Sequence, residues 1–241
     1  MIVAQTMDTL SRSAASCKIF SPSVGRNKEV LLQNLLPKLV QLASGAPMGL
    51  VEVAGGSGEH AAMLATSMKG LFILPVEPDA NMLSSIAAWA SEDGAAAAIA
   101  AQGSSVFPAM SIGIKDVQSN IWAEATKSKL DDAHAPPVCK AMLCVNMIHI
   151  SPYSCTEQLF RAGKEVLPVG GQIFTYGPYA ENGTMVESND AFDKSLQERN
   201  SAWGIRDMER VQQSALEHGG FVLSDRVVMS ANNLLLTFTK Q

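Results

Sequence analysis

The chain has 241 residues, 18 Lys and Arg against 23 Asp and Glu, a formal net charge of −5, and 47% hydrophobic residues. That length suits one substantial α/β domain and is short for two domains plus a linker, and the apolar share is enough to cover both faces of a sheet. The acidic balance, without any Lys/Arg cluster, argues against nucleic acid as a partner, and no apolar run is long enough to span a membrane.

In chain order, the first twenty residues hold Arg12, Lys18 and several Ser and Thr, but also Asp8. They read as a flexible tail ahead of a single domain over residues 21–241. They form no secretory signal and only a weak transit-like one, so the expected location is the cytoplasm, with an organelle as the alternative. From Lys28 to Leu42, Val30, Leu31, Leu35, Leu39 and Leu42 recur at helical spacing ahead of the Ser44-Gly45-Ala46-Pro47 break. Leu50–Val53 is a strand, His60–Met68 a helix, Leu71–Val76 a second strand and Asn81–Ala90 a second helix, which is βαβ alternation. The third strand is placed at Ala109–Ile114, before Asp116. Ala141–Asn146 is a buried strand, Thr156–Val166 a helix after the Ser151-Pro152-Tyr153 turn, and Gln172–Tyr176 another strand.

Beyond the polar segment 180–200 come a helix at Asp207–His218 and two β runs, Phe221–Met229 and Leu234–Thr239. The link between those runs is too short for a right-handed crossover, so they should pair antiparallel.

The stretch Leu50-Val51-Glu52-Val53-Ala54-Gly55-Gly56-Ser57-Gly58-Glu59-His60 carries the most chemistry. Its glycines let backbone approach a ligand, and the helix start that follows offers unpaired amides. Gly56 to Ala61 fits the loose dinucleotide pattern G-x-G-x-x-A. Glu52 points elsewhere, because a carboxylate at the strand tip repels a pyrophosphate but suits the ammonium and sulfonium of S-adenosylmethionine. A plain tight turn is the bland alternative.

Glu77, nineteen residues after Gly58, can accept two ribose hydroxyls, and Asp116 can meet the adenine amine. Asn146-Met147-Ile148-His149 should lie beside this turn, outside the carboxyl ends of the strands. His149 is the candidate general base, with a structural histidine as the alternative. Tyr176 and Tyr179 should face the same cleft. The segment with Asn189, Trp203 and Arg206 reads as an acceptor-recognising lid, or as a helix and loop packed on the sheet. Cys17, Cys139, Cys144 and Cys155 form no C-x-x-C pair, and His60, His134, His149 and His218 lack metal-ligand spacing, so reduced thiols and no metal are expected.

The pattern as a whole resembles the class I S-adenosylmethionine-dependent methyltransferases, and more closely the family containing methyltransferase-like protein 26. The likeness runs from Ser21 to the end of the chain. It rests on Ser21-Pro22 with Arg26-Asn27-Lys28, the Glu52–His60 turn, Asn146 to Pro152, Tyr176 to Tyr179, Ala202 to Asp207 and Ala231 to Leu234. The resemblance implies a Rossmann-like α/β fold whose seven-stranded, mostly parallel sheet ends in an antiparallel last strand. It also implies that Arg26 and Asn27 fold over the cofactor end. Ala54 departs from the pattern, standing where many methyltransferases have their first glycine.

The sequence therefore predicts a methyltransferase with S-adenosylmethionine as cofactor, S-adenosylhomocysteine as product and a small-molecule acceptor. Arg26, Asn27, Glu52, Ala54, Gly56, Gly58, His60, Glu77, Asp116 and Asn146 are the cofactor candidates. Tyr176, Tyr179, Asn189, Trp203 and Arg206 are the acceptor candidates. The alternatives are a non-catalytic S-adenosylmethionine-binding regulatory protein and an NAD-dependent oxidoreductase, the latter having no use for Glu52.

Overall fold

A computed structural model describes residues 11–12, 17–118, 120–127 and 137–241. Most of the expected tail, and His134, lie outside the described residues. Seven strands make the main sheet: β1 (Met48–Val53), β2 (Leu71–Val76), β3 (Ser105–Val106), β4 (Cys139–Val145), β5 (Gln172–Ala180), β6 (Phe221–Val228) and β7 (Asn233–Lys240). Their order across the sheet is β3-β2-β1-β4-β5-β7-β6, and the two-residue strand Arg206–Asp207 adds to β5 off this path. Strands β1 to β5 pair in parallel, whereas β7 runs antiparallel to both β5 and β6. The expected parallel sheet with a reversed last strand is the observed one. Leu234 faces Val228 across the late hairpin.

Helices cover both faces, so the central strands read as unbroken apolar runs. One face carries α1 (Pro22–Ala43), α2 (Glu59–Ser67), α3 (Ala80–Ser91) and α4 (Ala95–Ala101). There Leu31, Leu35, Leu39 and Leu64 pack on Leu50, Ile73, Leu143 and Phe174. The other face carries α5 (Ile121–Lys127), α6 (Tyr153–Val166) and α8 (Met208–Gly219), where Trp122, Phe160 and Val211 pack on Val51, Met142 and Phe238. Helix α7 (Glu187–Arg199) fills the polar segment past β5.

Two expectations are corrected. Helix α1 begins six residues before Lys28, with Ser21 at its N-cap and Pro22 in its first turn, where the missing N–H of proline costs nothing. The third strand is Ser105–Val106 and not Ala109–Ile114. Pro108 has no N–H to give, and beyond it only Met110 bridges Val76 before Ile114–Asp116 turns into a 3-10 helix.

Ordered contacts also start before the expected boundary at Ser21. Lys18 and Ile19 are buried. Ile19 donates its N–H to Ser85 Oγ (2.8 Å), Trp89 Nε1 donates to Ile19 O (3.0 Å), and Ser21 N donates to Glu59 Oε1 (2.8 Å). This short strap ties α3 to the start of α2.

Leu35 is fully buried, so Leu35→Ala should cost about 3 kcal/mol in urea denaturation, while Val40→Ala on the exposed side of the same helix should stay within about 0.5 kcal/mol.

Candidate functional site

Strand β1 is buried on all six residues, and its penultimate residue is Glu52, only 2% exposed. The chain then turns through Ala54 (φ +54°), Gly56 (φ +54°) and Gly58 (φ +90°) into α2. Ala54 thus keeps the left-handed conformation that glycine usually supplies, at a cost of about 1 kcal/mol. The two glycines do different work. A Cβ on Gly58 would lie 2.6 Å from Ile86 Cα, so this position lets α3 approach the turn. Among the described residues a Cβ on Gly56 would find nothing closer than Ala54 O at 4.0 Å, so none of them closes this side of the turn.

Glu77 fixes the turn from the neighbouring strand. Its Oε2 accepts the Gly56 N–H (2.8 Å) and its Oε1 the Asp79 N–H (2.9 Å). Glu52 Oε2 is buried with no hydrogen-bond partner among the described residues, and Oε1 lies 3.9 Å from His60 Nδ1. Burial, and then the neighbouring Glu77, push Glu52 up to about 8. Burial, and then Lys28, push His60 down to about 4. Near neutrality the two meet as uncharged groups, so the charge assigned to Glu52 from sequence is not expressed until something cationic draws the proton off. His60 Nε2 sits 3.4 Å from Asn27 Oδ1, which connects the acid to the adjoining cleft.

That cleft has a volume of about 310 Å³ and brings together Arg26, Asn27, Asn146, His149, Tyr176 and Asn189 from the sequence-based set. Asn146 ends β4 at φ +60°, a conformation asparagine tolerates, and donates its N–H to Tyr176 O (2.8 Å). This bend throws the next turn, Ile148–Ile150, back over the strand ends, where His149 O accepts the Gly204 N–H (3.0 Å). The His149 ring lies edge-on to Phe192 of α7 at 5.7 Å, and its nitrogens make no hydrogen bond to any described residue. Burial, followed by Arg206 and Arg199, lowers His149 to about 4, so the imidazole is neutral with a lone pair available.

Other candidates are placed elsewhere. Tyr179 differs from Tyr176 by an odd number of residues, so it points to the opposite face of β5, where its buried hydroxyl donates to Thr175 Oγ1 (2.8 Å). Trp203 packs in a small apolar cluster with Ala180, Leu196 and Ile205. The Arg206 guanidinium donates to Ser151 O (2.8 Å) and Ala202 O (2.7 Å), bracing loops and not the cleft. Asp116 stands exposed on its 3-10 turn. The expected lid is helix α7, whose Asn189, Phe192 and Arg199 line the cleft. Arg199 and Asn233 were not singled out from sequence. The 3.6-residue spacing of Asn189, Phe192 and Arg199 was the available signal for Arg199. Among the described residues no group of three or more His, Cys, Asp or Glu could hold a metal, and no helix is long and apolar enough to cross a membrane.

A family model described as protein of unknown function, DUF938, matches residues 18–240. The chain belongs to this family. Solved structures share the architecture of this DUF938 member. The PH0226 protein from Pyrococcus horikoshii OT3 superposes with a TM-score of 0.58 at 12% identity, covering 90% of this chain and 91% of its own. CalO1, a methyltransferase in calicheamicin biosynthesis in its S-adenosylhomocysteine-bound form, gives 0.58 at 11% identity over 92% of this chain and 61% of its own. The mitomycin 7-O-methyltransferase MmcR gives 0.59 at 11% identity over 91% of this chain and 58% of its own. The chain thus spans about three fifths of the length of these two methyltransferases, and what it shares with all three is the fold.

A pH series of chemical denaturation should show two flanks. The raised Glu52 stabilises the ligand-free fold below its unfolded value of 4.5, and this stability is lost as pH rises towards about 8. The lowered His60 and His149 stabilise above 6.5, and this is lost as pH falls towards about 4. Glu52→Gln should flatten the alkaline flank alone.

Proposed function

We propose that this protein is a methyltransferase that uses S-adenosylmethionine, releases S-adenosylhomocysteine and methylates a small-molecule acceptor. The observation that carries this reading is the buried Glu52 carboxyl, with one oxygen unpartnered among the described residues, beneath the side of a glycine turn that none of them closes. Keeping such a group dry and unpaired costs on the order of 1–3 kcal/mol, which a cationic ligand at the turn would offset. A buried carboxyl that gains stabilisation only by ionising beside a cation offers a pyrophosphate nothing, which disfavours NAD. The fold shared with CalO1 and MmcR supports the same reading, as does the resemblance of six sequence landmarks to the family containing methyltransferase-like protein 26.

In this reading Glu52, Ala54, Gly56, Gly58 and Glu77 hold the donor, with Glu77 taking the ribose hydroxyls. Asn27, His60, Arg26 and Asn146 flank its other end. Bound there, S-adenosylmethionine supplies a methyl group on a cationic sulfur that needs no further activation. Glu52 releases its proton to solvent as the donor binds and becomes the counter-charge. Tyr176 and Asn189 orient the acceptor, and α7 keeps water from the reacting atoms. His149, neutral and with its ring nitrogens free of protein partners, takes the proton from the acceptor's hydroxyl as it reacts.

Calorimetric titration with S-adenosylmethionine, S-adenosylhomocysteine and NAD tests the donor. S-adenosylmethionine should bind, and its affinity should rise about tenfold per unit as pH increases towards the Glu52 value near 8, a slope that Glu52→Gln removes. Binding of NAD alone would sink the reading. In a metabolite screen for S-adenosylhomocysteine release, His149→Ala should lower kcat by about 10²-fold without weakening donor binding. Donor binding without turnover on any metabolite would favour the regulatory alternative.

A further inference from the structure

Charge is sorted along the site. The acids Glu52, Glu59 and Glu77 are all buried around the glycine turn. The adjoining cleft has no Asp or Glu among its described lining, although acidic residues outnumber basic ones in the chain by 23 to 18. It has instead two arginines, Arg26 and Arg199, facing it from different helices. Arg26 lies near the start of α1, a 22-residue helix with no acidic residue in its first turn, and Ser23 from that same turn also lines the cleft. Arg199 closes α7. Its Nε donates to Ser195 O (3.0 Å), and its ring-side contact is Trp203 at 5.8 Å. Its two terminal nitrogens have no hydrogen-bond partner among the described residues. That is the fork a carboxylate or a phosphoryl group takes in two parallel bonds.

We infer that the acceptor is a small hydroxylated organic anion, whose carboxylate or phosphoryl group docks on the terminal nitrogens of Arg199 while its body lies against Phe192 and its hydroxyl reaches His149. This rests on the methyltransferase reading for the role of the molecule, but not for its charge. Asn189, Phe192 and Arg199 share one face of α7, so a single helix would read the polar, planar and anionic parts of the molecule. A cleft of about 310 Å³ is at the small end of ligand sites, which fits a metabolite and not a peptide. The arrangement also places opposite charges at the two ends of the site: acids for a cationic donor, arginines for an anionic acceptor. Each ligand would be rejected at the other's end.

The test uses four matched probes titrated by calorimetry into the full chain, with and without saturating S-adenosylhomocysteine: 3-hydroxybenzoate, 3-hydroxyphenyl phosphate, 3-hydroxybenzamide and 3-hydroxybenzylamine. At least one anion should bind about tenfold or more tightly than the neutral amide, with the amine weakest, and added salt should weaken the anion. Which anion binds better separates a carboxylate from a phosphoryl group as the recognised end. Arg199→Gln should cost about tenfold in anion affinity, with Arg199→Lys recovering part of it, while affinity for S-adenosylhomocysteine stays unchanged and reports an intact fold. The inference is overturned if the amide or the amine binds as tightly as the anions. It is equally overturned if neither anion binds at about 10 mM, or if Arg199→Gln leaves the anion affinity as it was. Should S-adenosylhomocysteine fail to bind while the anions still do, the donor reading falls and the anionic cleft stands. Should the donor bind and the anions not, the reverse holds.

Discussion

A carboxyl group at the end of a strand buried on both faces is the constraint around which the site is built. Parallel pairing of β1 with β2 and β4 removes water from Glu52 on every side except the turn that follows. Glu77 at the end of β2 then takes up two backbone amides, so the turn is held from the next strand as well as its own. Sheet order places the bend after β4 beside this turn, and the cleft lies outside the carboxyl ends of the strands, as open parallel sheets dictate.

Much of this was legible in the sequence wherever burial is two-sided. Leu50–Val53, Leu71–Val76 and Ala141–Asn146 announce themselves because helices on both faces demand unbroken apolar runs. The late hairpin follows from link length alone. The short strand Ser105–Val106 offers two residues, too few for any periodicity to show. Helix α7 buries only Asn189 and Leu196, so its polar sequence reads as a loop or lid. The alternation of side chains along β5 does separate Tyr176 from Tyr179, and that information was present in the spacing. Arg206 could not be resolved from sequence, since its partners are backbone carbonyls, one of them 55 residues away.

The protonation of Glu52 lies beyond sequence for a different reason. A letter at a strand tip gives the group but not its depth, and depth decides whether it is charged. The same holds for His149, whose nearness to Arg199 and Arg206 depends on α7 and the loop after it folding back across the strand ends. Electrostatics here is thus a property of tertiary structure, laid over a local motif that fixes only which groups are available.

Ser85 of α3 makes a small joint with wider reach. Its hydroxyl accepts the Ile19 N–H and donates to Ser57 O (2.7 Å), so one buried oxygen links the strap at Lys18–Ser21 to the glycine turn. The strap's share of these bonds is all backbone, from Ile19 and Ser21, whereas the partners Ser85, Trp89 and Glu59 use side chains. Side chains of the strap add to this grip, with Lys18 paired to Asp93 (2.7 Å) and both Lys18 and Phe20 packed on the Trp89 ring. Loosening Ser85 or Trp89 would therefore free the strap and slacken the glycine turn in one step.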